Sequence, residues 1–133
     1  MRNGNDTNAL CSPCLVLAHP HADSQALLAR GFRRLGWDVY LAHSGPEARR
    51  LARMLPADLV ILHVDLPEES GWLTCDKLIR EQPLASVVLI GDDLSPCRRN
   101  LADFVGASAL IDRPESMIGL VEELLDSPAP AVN

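Results

Sequence analysis

The sequence predicts an α/β fold built on a parallel sheet covered on both faces, and two observations carry that prediction. Short continuous apolar runs, Leu15-Val16-Leu17-Ala18 and Leu59-Val60-Ile61-Leu62 among them, are what strands buried on both faces require. Between the runs lie segments whose apolar residues recur at helical spacing. Strand and helix therefore alternate along the chain, and right-handed crossovers then give parallel strands with helices on either side.

Each element has its own signal. Residues 1–13 are polar, carry Gly and Asn, and are expected to form a disordered segment ahead of one domain spanning residues 14–126. The first strand is Leu15-Val16-Leu17-Ala18. Asp23 or Ser24 is expected to cap a helix whose Leu28, Phe32 and Leu35 share one face, and Gly36 ends it. Residues 37–42, from Trp37 to Ala42, make the second strand. Ser44-Gly45-Pro46 opens the second helix, with Ala48, Leu51, Ala52 and Leu55 as its apolar stripe before Pro56. The third strand covers residues 59–62, the third helix 71–80 and the fourth strand 86–90, bounded by Gly91. Ser95-Pro96 starts a fourth helix carrying Leu101, Phe104 and Val105 up to Gly106, and residues 107–111 form the fifth strand. Pro114 introduces a last helix with Ile118, Val121, Leu124 and Leu125 on one side. Residues 127–133 read as a flexible tail or the start of a linker.

Composition bounds the function classes. At 133 residues and 47% hydrophobic, the chain is one domain able to bury a core without disulfides. No apolar run approaches the roughly 20 residues of a membrane span, and no apolar signal-peptide core follows the polar first residues. No membrane contact and a cytoplasmic location are expected. A net charge of −6 argues against a surface that neutralises many phosphates, so no nucleic-acid binding by this domain is expected. Arg30, Arg33, Arg34, Arg49, Arg50 and Arg53 gather in the first half, and Glu115, Glu122, Glu123 and Asp126 near the other end. Solvated helix faces explain them; a charged contact surface for another protein is the alternative.

The run from Asp58 to Pro67, Gly71 four residues on, Gly106-Ala107 before the fifth strand and Arg113-Pro114 after it resemble a response-regulator receiver domain over about residues 14–126. The resemblance implies a flavodoxin-like (βα)5 three-layer sandwich with strand order 2-1-3-4-5. It also implies function at the carboxyl ends of the strands, beside the switch point between strands 1 and 3. In that family an acidic pair after the first strand binds Mg²⁺; here it falls on His19 and Pro20, extending to His21. The phosphoryl-accepting aspartate falls on His63, the hydroxyl residue ending the fourth strand on Gly91, the phosphate-contacting lysine on Arg113 and the aromatic switch residue on Leu110. Proline cannot coordinate, and histidine is a poor ligand for a hard cation. Phosphoryl transfer needs metal, nucleophile and positioned cation together, and Arg is not an interchangeable Lys. The resemblance therefore implies a degenerate receiver with no cofactor.

Three other readings stand beside it. Asp65, Asp92 and Asp93 lie in loops where caps and solvent-facing acids are common, with a displaced phosphoryl acceptor at Asp65 or His63 as the alternative. His19, His21, His43 and His63 all follow strand ends, so they face one edge where imidazoles near Asp65 or Asp92 could bind a transition metal or small ligand, or form a pH-sensitive cluster. No spacing signature singles out a metal site. Cys11-Ser-Pro-Cys14 has redox or zinc spacing but precedes a strand rather than a helix, so an incidental pair is expected, with Cys75 and Cys97 as small buried hydrophobes. No nucleotide-binding loop or nucleophile–base pairing is present, and an enzyme is not expected. The function expected is a phosphorylation-independent regulatory module of bacterial signalling that binds another signalling protein or a second copy of itself. A small-ligand or metal sensor is the runner-up, and an active phosphoryl-accepting regulator comes third.

Overall fold

The computed structural model describes residues 12–112, in which five strands and four helices alternate: β1 (Cys14–Ala18), α1 (Ala22–Arg34), β2 (Asp38–Ala42), α2 (Gly45–Met54), β3 (Leu59–His63), α3 (Gly71–Glu81), β4 (Val87–Ile90), α4 (Pro96–Phe104) and β5 (Ala109–Ile111). Every strand pairing is parallel and the order is β2-β1-β3-β4-β5, as expected. The last helix, Arg113, Cys11 and most of both terminal segments lie outside the described residues.

Alternation along the strands splits the core in two. Val16, Ala18, Val60, Leu62 and Leu89 face α2, α3 and α4, where Ala48, Ala52, Cys75, Leu78 and Ala102 meet them. Leu15, Leu17, Val39, Ile61 and Ile90 face α1, where Leu28, Ala29 and Phe32 pack. Both faces being covered is why these strands read as unbroken apolar runs.

Serines start three of the helices. Ser44, Ser70 and Ser95 accept the backbone N–H of Glu47, Leu73 and Arg98 through their hydroxyls, satisfying donors the first turn leaves free. The first helix departs from expectation. Its N-cap is His21, with no side-chain cap, and Asp23 and Ser24 sit inside the first turn. The strands β2, β4 and β5 begin one or two residues later than the apolar pattern suggests; at β2 the residue left out, Trp37, meets Phe32 edge-on at 5.5 Å.

The fourth helix is out of phase with its predicted stripe. Val105 points inward as expected, but so does Ala102, while Leu101 is 39% and Phe104 81% exposed. Cys97, expected in the interior, is exposed on the same helix. Cys75 is buried as expected, its Sγ 3.5 Å from the Val105 carbonyl that accepts its hydrogen bond.

Two glycines set how closely the loops approach. A Cβ on Gly71 would collide with the His63 carbonyl oxygen, and a Cβ on Gly45 with the Thr74 hydroxyl. The first contact seats α3 directly over the end of β3, where the Gly71 N–H donates to the Val64 carbonyl at 3.0 Å. The second lets α2 and α3 close around Glu69. Its carboxylate accepts from Arg49 through Nε and Nη2 (3.0 and 3.1 Å), from the Thr74 hydroxyl (2.8 Å) and from Lys77 Nζ (3.0 Å). Burial by itself would raise the Glu69 pKa, but these donors overwhelm it and hold the group at about 2.

Candidate functional site

The registers of the sheet place two histidines side by side. Ala18 at the end of β1 is opposite Leu62 of β3, so the next residue on each strand, His19 and His63, emerges at the same level at the carboxyl edge. Their rings are 4.7 Å apart between centroids, and His21 lies 5.6 Å from the first and 6.3 Å from the second. His19 and His63 are only 4% and 7% exposed.

Each buried ring is fixed by its own loop. Nδ1 of His19 accepts the His21 backbone N–H at 3.0 Å, and Nδ1 of His63 accepts the Asp65 backbone N–H at 3.0 Å. A nitrogen that accepts carries no proton, so both neutral imidazoles hold theirs on Nε2. Burial lowers the His19 pKa to about 4, helped by His63 and His21. Burial also lowers that of His63, against the pull of Asp65 and Asp92. Both rings are therefore neutral at pH 7.

These rings line a cavity of about 350 Å³ whose walls also include His21, Ser24, Leu27, Leu28, Asp65, Ile90, Asp92 and Asp112. Asp112, directly after β5, escaped sequence reasoning, although a residue following a strand at this edge is placed there by the alternation alone. Among the described residues the cavity has three carboxylate side chains and no Lys or Arg in its wall.

The remaining predicted positions fall as follows. Pro20 lies in the bend between β1 and α1. Gly91 is buried after β4, and a Cβ there would come within 3.2 Å of a Val64 methyl and 3.8 Å of a Leu110 methyl. Leu110 is a core residue of β5. Asp93 turns away from the cavity, accepting the Ser95 N–H at 2.8 Å and lying 3.8 Å from Arg98. His43 follows β2 at the same edge but is not brought to the cluster. Its side chain is 71% exposed, and its Nδ1 is 3.7 Å from Glu47. Cys14 is buried at the far end of β1, and burial with Asp58 and Asp38 raises its pKa.

The geometry speaks against metal coordination. A metal on Nε2 of a neutral imidazole moves the ring proton to Nδ1, where the His21 and Asp65 amide hydrogens already point. Consistent with this, no group of three or more His, Cys, Asp or Glu among the described residues is arranged to hold a metal ion.

No protein-family model matches the chain. The chain is similar to the TorCAD operon transcriptional regulatory protein TorR of Escherichia coli O157:H7, 26% identical over 107 residues, which are 80% of this chain and 46% of that protein. It is also similar to the DNA-binding dual master transcriptional regulator RpaA of Synechocystis, 30% identical over 104 residues, 74% of this chain and 43% of that protein. The match thus spans less than half the length of either relative. Among solved structures, the chemotaxis protein CheY4 of Vibrio cholerae superposes with a TM-score of 0.78 at 16% identity, covering 85% of this chain and 98% of that one. The fold is the flavodoxin-like fold of CheY. The chain is thus similar in fold to response-regulator receiver domains and in sequence to part of two transcriptional regulatory proteins. Among the described residues no helix is long and apolar enough to cross a membrane.

Proposed function

We propose that this domain is a receiver that signals without a phosphoryl group, acting in the cytoplasm by binding another signalling protein or a second copy of itself. The observation that carries the reading is the state of the acceptor position: it is His63, a neutral imidazole whose Nδ1 is already occupied by the Asp65 amide. The neighbouring metal-binding positions are His19 and Pro20, neither a ligand for Mg²⁺. With no carboxylate to phosphorylate at that position and no pair to hold the metal, regulation falls to contacts made by the folded surface. Two relatives are transcriptional regulators, but DNA contact is not assigned to this domain, whose net charge of −6 opposes it.

The test is incubation with acetyl phosphate, and separately with beryllium fluoride, each with Mg²⁺, followed by intact mass and two-dimensional NMR. The mass should stay unchanged and the amide spectrum should not shift. A stoichiometric, Mg²⁺-dependent gain of one phosphate overturns the reading, and mapping it to Asp65 would identify a displaced acceptor. A second reading, a small-ligand sensor, is favoured by one observation: the Nε2 atoms of His19 and His63 are left without a hydrogen bond to the described residues and open onto the cavity that both rings line.

A further inference from the structure

We propose that the cavity at the carboxyl edge is a receptor site for a small organic cation that also carries a carbonyl acceptor, a ligand of the amino-acid-amide kind. The inference deepens the sensor reading, and it rests on the view that the cavity no longer takes a phosphoryl group.

Three features select this chemistry. The first is a pair of donors. With Nδ1 of each ring held by its own loop, the hydrogens left for a ligand are the two Nε2–H groups, on rings 4.7 Å apart that line one cavity. Both groups open onto the cavity, where an acceptor oxygen of a ligand can take the place of water. The second is charge. Among the described residues the wall carries the carboxylates of Asp65, Asp92 and Asp112 and no Lys or Arg, with His19 and His63 neutral between them, a balance that favours a cation over phosphate or a free carboxylate. The third is shape. A volume of about 350 Å³ far exceeds a single ion and falls within the roughly 300–1,000 Å³ of small-molecule pockets. Leu27, 63% exposed on α1, joins Leu28 and Ile90 as an apolar wall for methylene groups. A bare metal ion would satisfy the carboxylates and leave the donors facing it. An oxoanion would do the reverse.

The experiment is an NMR titration at pH 7.5 of the whole chain, labelled with ¹⁵N, reading backbone amides and histidine ring nitrogens, with L-argininamide as the probe. Saturable shifts at His19, His63, Asp92 and Asp112 are expected, with the Nε2–H tautomers retained. Agmatine, which keeps the guanidinium and lacks the carbonyl, should bind at least fivefold more weakly. Asp92→Asn/Asp112→Asn, changing two exposed side chains that leave the core untouched, should weaken L-argininamide at least tenfold. His63→Gln should do the same, its fold checked by the same spectrum. Acetate and inorganic phosphate should give no saturable shift, and Zn²⁺ no stoichiometric complex. Absence of saturable binding by L-argininamide, equal affinity for agmatine, unchanged affinity in the aspartate variant, or stoichiometric Zn²⁺ on Nε2 would each overturn the proposal. Beryllium fluoride with Mg²⁺ separates the two readings. Its binding would remove the phosphorylation-independent view, whereas its failure alongside failure of L-argininamide would leave that view standing and remove only the ligand.

Discussion

At the position where the resemblance places a phosphoryl-accepting aspartate, His63 does two things at once: it ends β3 and it holds the following loop by accepting the Asp65 amide. Restoring a carboxylate with His63→Asp should therefore not restore Mg²⁺ binding, because His19 and Pro20 still offer no acidic partner. It should also destabilise the fold by roughly 1–3 kcal/mol, since an unpaired charge enters a site only 7% exposed. Calorimetry and urea unfolding check both, and tight Mg²⁺ binding by the single variant would contradict the argument. Acid gives a second prediction. The His19 pKa falls from 6.5 to about 4 on folding, so between those values the unfolded chain binds more protons than the folded one. Stability is then fully present above pH 6.5 and declines as pH falls toward 4. Glu69, lowered from 4.5 to about 2, adds a second decline below pH 4.5. Thermal melts across pH 2–8 should show both limbs, and His19→Gln should flatten the upper one. The identity of the residue at position 63 was legible from its strand. The Nδ1 contact was not, because it depends on a loop turning back over two residues, and nothing in the residue types announces that.

Among the elements, the joint between α2 and α3 illustrates what periodicity misses. Glu69 is bound by residues 20 positions before it and five and eight after it, a pattern no helical or strand period contains. Its buried carboxylate anchors the loop that carries Glu68 at φ +70°, a left-handed conformation unfavourable for a residue with a side chain. Glu69→Ala should lower stability by roughly 2–4 kcal/mol, as removal of one partner from a buried ionic network does. Asp76→Asn, which breaks the exposed pair with Arg80, should change it by less than about 1 kcal/mol. Urea midpoints distinguish the two; similar losses in both variants would show that the burial of Glu69 has no special weight. Helix positions themselves were well read because serine caps and apolar stripes agree. The exceptions are the start of α1, where His21 and not Asp23 or Ser24 is the cap, and the phase of α4, where Val105 points inward as expected but Leu101 and Phe104 are exposed and Ala102 is buried instead. In a helix of nine residues, one small buried side chain decides the phase, and hydrophobicity alone does not reveal it.

For the molecule as a whole, one sheet divides two cores, and each strand contributes alternate side chains to each. Phe32, on the α1 face, is the largest fully buried side chain among the described residues, so Phe32→Ala should cost about 3–5 kcal/mol. Phe104, 81% exposed, should tolerate serine within roughly 0.5 kcal/mol. Denaturant unfolding of both variants measures the contrast, and a large loss at Phe104 would mean that α4 packs differently in solution. Strand alternation and both-face burial were readable from apolar runs. The strand order was not; it came from the resemblance, because periodicity says which residues are inside but not which strand lies beside which. The same limit explains His43. Being at the same sheet edge did not bring it to the cluster, since the ring lies beside Glu47 of α2, 71% exposed.

Gly91 carries a consequence for descent. Its neighbours have closed over the place where a hydroxyl side chain would stand, with a Val64 methyl 3.2 Å from where a Cβ would be. On the proposed reading, a descendant that regained phosphate acceptance would have to change His19, Pro20, His63 and Gly91, and shift Val64 as well. Changing His19, His63 or Gly91 alone disturbs a loop contact or the packing against Val64, and on that reading returns no chemistry. If the proposed reading holds, stepwise selection finds no uphill path through them, and the proposed loss acts as a ratchet: the lineage elaborates the surface and the cavity without drifting back to the kinase.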